Sequence, residues 1–293
     1  MRGWLAVINH AAGKAPVRVD RVASALAEAG VEADVASPPS VEETRRLIRD
    51  EVASGRRNFV AVGGDGTVNL IGNELLQLGS DDSVLGVLPA GTGCDLLRTF
   101  GISQDIREAA RHLATDQVYP IDALRLEGEF GVRYCINVSQ VGVGAAAAET
   151  APRLRRSLGP ARYPMAFAAR LPRFPRATVR VTTEKRTYES SALAVIMANA
   201  QFFAGGWNVA PKATLVDGVA DIQIIDASKA RAPALVPKII KGTHLRDRAV
   251  RRFSSGSFRV ETSVEWPLEV DGDFVGNTPL TGQVVRAALR LKI

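Results

Sequence analysis

Phe59-Val60-Ala61-Val62, running into Gly63-Gly64-Asp65-Gly66-Thr67-Val68-Asn69, is the stretch that decides the fold. Four apolar residues read as a buried strand, the glycines as a tight turn, and Thr67 to Leu78, with Gly79 behind it, as a helix. Glycines let backbone N–H groups approach phosphate oxygens, and a helix N-terminus favours anions. Asp65 places an acid where an anion would bind, so it needs a partner; Mg²⁺, or water held by it, would supply one. The plainer alternative is a strand–helix turn with Asp65 as its cap.

The same alternation extends to both sides. Trp4 to Asn9, Val31 to Ala36 and Val84 to Leu88 read as strands. Val17 to Ala29, Val41 to Ser54 (with Ser40 as N-cap) and Asp95 to Phe100 read as helices. This order implies a parallel sheet with right-handed crossovers. Ligands bind at the carboxyl ends of such strands, so the βα loops are the places to look. They begin at Asn9, Ser37, Gly63 and Pro89, are small or polar, and would converge on one sheet edge.

After Ile121 the texture changes. Strand-like pieces crowd together: Ala123 to Glu127, Tyr134 to Val138, Thr178 to Thr183, Ala192 to Ala198, Ala220 to Ile225, Phe258 to Thr262, Glu265 to Val270 and Val284 to Lys292. Helices are expected only at Pro160 to Leu171 and Pro233 to Lys241. The reading is an α/β nucleotide-binding domain over 1–121 and an antiparallel β domain over 122–293, the last strand being a candidate to return to the first domain.

The chain has 293 residues, 46% hydrophobic and 23% charged, enough for two cores. No apolar run approaches the roughly 20 residues that span a bilayer, and the N-terminus lacks a signal-peptide pattern. Cys94 and Cys135 give neither a disulfide framework nor metal-ligand spacing, so a reduced, cytoplasmic protein is expected. The net charge is +6, and no Asp or Glu occurs from Thr150 to Thr183, a stretch that holds eight arginines. That suits an anionic membrane surface or a solvated basic face; no recognition motif supports nucleic-acid binding.

Several chemistries find no support. There is no Walker A sequence and no Gly-x-Ser-x-Gly elbow, and His10, His112 and His244 are scattered. Gly142-Val143-Gly144 looks like a dinucleotide fingerprint but lacks the acid about 20 residues on, so it reads as close packing or a bulge.

Gly63-Gly64-Asp65-Gly66-Thr67-Val68-Asn69 resembles the Gly-Gly-Asp-Gly-Thr-x-Asn signature of the diacylglycerol kinase catalytic family, which includes bacterial lipid kinases and is related to sphingosine and ceramide kinases. Gly91-Thr92-Gly93-Cys94-Asp95-Leu96-Leu97-Arg98 is similar to its second motif, Asn199 to Asp217 to a segment with paired glycines, and Asp271-Gly272-Asp273 to its Asp-Gly-Glu. The resemblance implies an N-terminal α/β ATP domain, a C-terminal β-sandwich for lipid and an active site in the cleft between them. It implies that Asn9, Ser37, Gly63, Gly64, Asp65, Gly66, Thr67, Asn69, Gly91 and Thr92 contact ATP, with Lys14 reaching phosphates. The carbonyls of Thr214 and Val219 with the Asp217 carboxylate would match a structural Mg²⁺ site, although Asp217-Gly218 alone reads as a β-turn.

Four positions depart from the family pattern: His10 for Pro, Leu70 for Glu, Cys94 for Asn and Asp273 for Glu. The last would be the general base for the lipid hydroxyl, shortened by one methylene, roughly 1.5 Å. Asp271-Gly272 also reads as a hairpin turn, and both roles are compatible. The expectation is therefore an ATP- and Mg²⁺-dependent lipid kinase, catalytic at Asp65 and Asp273, touching anionic membrane through the arginine stretch. A homodimer stays open. Two other readings stand beside it: a soluble-substrate kinase of the NAD kinase type, and a catalytically impaired lipid- or nucleotide-binding regulator.

Overall fold

The computed structural model describes residues 3–9, 18–90 and 94–293, the side chains of Arg156 and Pro160 excepted. It divides into two units, residues 1–122 with 286–293, and residues 123–285.

In the first unit β1 (Trp4–Ile8), β2 (Ala33–Ala36), β3 (Asn58–Gly63) and β4 (Val84–Pro89) are joined by α1 (Val19–Glu28), α2 (Val41–Ala53) and α3 (Asp65–Gln77). The strands are parallel in the order β2-β1-β3-β4, with Arg290–Lys292 from the C-terminus added beside β4. β3 and β4 are buried almost throughout, as expected for a parallel sheet covered on both faces. Ser40 caps α2, its Oγ accepting from the Glu43 amide at 3.1 Å. α4 (Asp95–Thr99) is followed by α5 (Ile106–Leu113), a helix that the sequence reading lacks. Asp105 caps α5, which buries Ile106, Ala109, Ala110 and Leu113. Asp122 takes the Ala287 amide at 2.8 Å on the returning C-terminal segment.

The second unit holds two antiparallel sheets. One contains β8 (Ala177–Thr183), β9 (Thr187–Ala192), β15 (Ser257–Thr262) and the first residues of β18 (Leu280–Lys292), with β5 (Tyr119–Gly128) pairing β6 (Gly131–Cys135). The other runs β14-β13-β10-β7-β16-β17, from Val250–Ser255, Ala220–Ile225, Ala194–Ala198, Val138–Gly142, Pro267–Val270 and Asp273–Asn277. Their inner faces share a core that includes Val179, Val181, Phe258, Val260, Val141, Met197, Ile222 and the fully buried Trp266. α6 (Val143–Thr150), α7 (Arg162–Arg170) and α8 (Ala232–Ile240) belong to this unit, as does the short ribbon of β11 (Phe202–Phe203) and β12 (Trp207–Asn208).

Two expected strands are each broken in two. Ala192 to Ala198 splits at Leu193, because β9 pairs β8 in one sheet while β10 pairs β7 and β13 in the other. Tyr134 to Val138 splits at Ile136–Asn137, whose amides turn to a side chain, that of Asp271. Apolar periodicity is the same on either side of such a break, so it cannot register the change of partner.

Candidate active site

Parallel order places the carboxyl ends of β1 to β4 on one edge of the first sheet. Ser37 follows β2, Asn9 follows β1, with its amide donating to Val62 O at 3.4 Å, and Gly63 ends β3. Lys14, Gly91 and Thr92 lie outside the described residues.

α3 begins at Asp65, two residues before the expected Thr67, with Gly64 as N-cap. Thr67 is thereby drawn inside the first turn, where it is buried, and a Cβ on Gly63 would lie 2.2 Å from its Oγ1. That Oγ1 has no hydrogen-bond partner among the described residues, while Gly66 is exposed at the helix tip. The helix-start backbone exposed at Gly66 is the part of this turn that an anion can approach.

Asp65 is engaged by the backbone of the second motif. Its carboxylate takes the Asp95 amide on both oxygens at 2.9 Å and the Leu96 amide at 3.1 Å, and the Cys94 thiol lies 3.6 Å away. It is an acidic cap on α4, binding the first motif to the second. Burial, then the neighbouring Asp65, pushes the Cys94 thiol up, so it stays neutral against the carboxylate. Among the described residues no three His, Cys, Asp or Glu side chains group to hold a metal. Asp217 is exposed and closes its own turn by accepting from the Val219 amide at 3.1 Å.

The Asp271-Gly272 pair makes the two-residue hairpin between β16 and β17, with φ of 49° and 99°. Asp271 is buried, and its carboxylate collects the amides of Ile136 at 2.7 Å, Asn137 at 2.9 Å and Val138 at 2.9 Å, plus the Cys135 thiol at 3.3 Å. Burial pushes its pKa up and these donors pull it back. Asp273 is the opposite case, 64% exposed and paired with Arg133 at 3.2 Å.

Three residues that the sequence reading missed lie behind this turn. Glu269, on β16, is fully buried, and burial pushes its carboxyl up to about 8. It accepts from Gln140 Nε2 at 3.0 Å and from the Gly272 amide. Gln140 also donates to the Tyr163 hydroxyl at 3.0 Å. Gln140 and Tyr163 in turn line a cleft whose other walls are apolar, among them Phe167, Ile196, Trp207 and Leu235. The enclosed space is small, about 70 Å³, and it opens toward solvent. Tyr163 stands edge-on to Trp207 at 5.2 Å and to Phe203 at 6.0 Å, which fixes the ribbon as one wall. The available sequence signals were Gly142 and Gly144. A Cβ on the first would lie 2.4 Å from Leu193 O, and on the second 2.0 Å from Gln140 Oε1.

Residues 3–126 match the model described as diacylglycerol kinase catalytic domain, and residues 137–293 match the YegS C-terminal NAD kinase beta sandwich-like domain. The chain belongs to the diacylglycerol kinase family. As a member of that family it is a phosphotransferase with an alcohol group as acceptor. A "Probable lipid kinase YegS-like" protein of Xanthomonas oryzae pv. oryzae is 28% identical over 95% of this chain and 87% of that protein. A "Diacylglycerol kinase" of Mycobacterium tuberculosis is 29% identical over 85% of this chain and 81% of that protein. A crystal structure of a diacylglycerol kinase from Bacillus anthracis superposes with a TM-score of 0.74 at 19% identity, over 99% of this chain and 96% of that one. A second structure from that organism, at 21% identity and the same coverage, reaches 0.82. These likenesses bear on the fold alone.

Proposed function

We propose that the protein is an ATP-dependent lipid kinase that phosphorylates a hydroxyl on an acyl-chain lipid of the diacylglycerol class. The observation that carries this reading is the cleft in the second unit, apolar along its walls and polar only at Gln140 and Tyr163, within the family of alcohol-directed phosphotransferases. A soluble acceptor such as a dinucleotide would need polar walls.

Asn9, Ser37, Gly63, Gly64, Gly66, Thr67 and Asn69, with Lys14, Gly91 and Thr92, bind the triphosphate, the exposed backbone at Gly66 facing a phosphate oxygen. Mg²⁺, when bound with ATP, neutralises phosphate charge. A second Mg²⁺ on Thr214, Asp217 and Val219 would be structural, oxygen ligands suiting a hard cation. Asp65 acts by holding α4 in place. Asp273 accepts the proton of the lipid hydroxyl as its oxygen bonds to the γ-phosphorus, the bond from that phosphorus to the β–γ bridging oxygen breaks and ADP leaves; positioning supplies most of the remaining rate.

Two-chain lipids stay in the bilayer, so the protein binds peripherally to an anionic surface. Of the arginines in the basic stretch, Arg153, Arg170, Arg176 and Arg180 are ion-paired with Glu149, Asp226 or Glu189. The contact therefore falls to the exposed Arg155, Arg173 and Met165.

The test is transfer of label from γ-labelled ATP to a lipid panel in mixed micelles, wild type beside Asp273→Asn. We expect a labelled lipid from wild type and about 10²–10⁴-fold less from the variant. Wild type that labels no lipid would favour a soluble acceptor or a non-catalytic regulator. Asp273→Asn is preferred to Asp65→Ala, because removing the Asp65 carboxylate also uncaps α4.

A further inference from the structure

Glu269 is a buried acid with no cation among its hydrogen-bond partners in the described residues, an arrangement that costs stability. Its two oxygens bond in different directions. Oε1 takes the Gly272 amide, in the turn immediately before Asp273, and Oε2 takes Gln140 Nε2. The Tyr163 hydroxyl gives its single proton to Gly144 O at 3.0 Å, so the Gln140 group facing it must be the NH₂. Gly144, lacking a Cβ, leaves room for the Gln140 oxygen on the other side. The result is an unbroken chain of hydrogen bonds, Gly144–Tyr163–Gln140–Glu269–Gly272. One end forms the polar wall of the apolar cleft, and the other holds the turn that carries Asp273.

We propose that Glu269 is a positioning residue that couples occupation of the acyl cleft to the placement of Asp273, so that chain binding is expressed in turnover as well as in affinity. This rests on the lipid-kinase reading. A chain seated against Gln140 and Tyr163 immobilises them; Glu269 passes that order to the Gly272 amide and so to the acceptor base. Binding energy from a part of the substrate remote from the reacting hydroxyl is then used at the reacting centre.

Glu269→Gln tests this with almost no change of shape. Whichever way its amide lies, an NH₂ opposes an N–H donor at Gln140 or at Gly272, so one link is lost. Steady-state kinetics would use short-chain (dioctanoyl) and long-chain (dioleoyl) diacylglycerol in mixed micelles. For wild type we expect a higher kcat on the long chain. In Glu269→Gln the long-chain kcat should fall about tenfold, as for one lost hydrogen bond. The kcat advantage of the longer chain should disappear, with its KM advantage and the KM for ATP kept. The double variant Gln140→Glu with Glu269→Gln restores a donor–acceptor pair at that contact and should recover part of the advantage. Tyr163→Phe, cutting the chain at its cleft end, should show the same loss and serves if Glu269→Gln does not fold. An unchanged chain-length dependence of kcat in the variants overturns the inference while the kinase reading stands. An equal loss of kcat on both chains, with no recovery in the double variant, does the same. Wild type that turns over no lipid overturns the underlying reading.

Discussion

Glu269→Gln also makes a prediction about stability, because a buried acid charges only at a cost. Burial is the main cause of the rise of Glu269 from 4.5 to about 8; Asp271 and Asp273, which face it, add to the rise, and the Gly272 amide and Gln140 oppose it. The native state therefore holds a proton that the unfolded chain releases above about pH 4.5. The stability that the neutral form contributes is fully present below the unfolded pKa. It falls as pH climbs and levels off only above about 8, where the native group also ionises. At about 1.4 kcal/mol per pH unit the whole window amounts to about 5 kcal/mol, of which about 3 kcal/mol falls between pH 5.5 and 8.5. Glutamine does not titrate. Urea unfolding of both proteins at the two pH values, followed by tryptophan emission that includes the buried Trp266, isolates the effect, since other groups cancel in the difference. Relative to wild type, Glu269→Gln should gain about 3 kcal/mol between pH 5.5 and 8.5, whatever it loses at the lower pH. Parallel pH profiles would refute the argument, and a wild type that strengthens with pH relative to the variant would reverse its sign.

Asp65→Asn sets an NH₂ against the Asp95 and Leu96 amides and should cost about 1–3 kcal/mol in urea unfolding with EDTA present; a stability unchanged without metal would mean that the carboxylate serves only a cation. Asp271→Asn likewise strips partners from the Ile136, Asn137 and Val138 amides and should destabilise by about 2–4 kcal/mol, visible as a lower urea midpoint at constant m-value. Val236→Trp, at the cleft wall on α8, should lower kcat/KM for long-chain lipid by about tenfold or more while leaving ATP affinity, read by calorimetry, unchanged; equal activity would place the acyl chain elsewhere.

The first unit was largely legible in the sequence because its parallel strands are short apolar runs punctuated by glycine and a capping serine, signals that sit next to each other along the chain. α5 was missed because its apolar residues, Ile106, Ala109, Ala110 and Leu113, are few and small, and the cap at Asp105 is its clearest mark. In the second unit the elements were found but their partners were not. The break at Leu193 and the break at Ile136–Asn137 depend on residues far away in sequence. The Glu269–Gln140 contact joins positions 129 residues apart, and only the glycines at 142 and 144 hinted that something passes close by.

The Asp-Gly-Asp turn shows how one motif divides its labour. Asp271 cannot be varied cheaply: its backbone is at positive φ, and its carboxylate ends the amides of three successive residues, so its length and shape are set by β6 and β7. Asp273 is mostly exposed, and Arg133 is the partner that restrains it. Among the described residues its recorded contact is with Arg133, so a side chain one methylene shorter disturbs no buried packing there. The position where the sequence reading expected a glutamate is thus the exposed half of the motif. Placement of that shorter side chain then depends more heavily on the turn beneath it, and the Gly272 amide in that turn is held by Glu269.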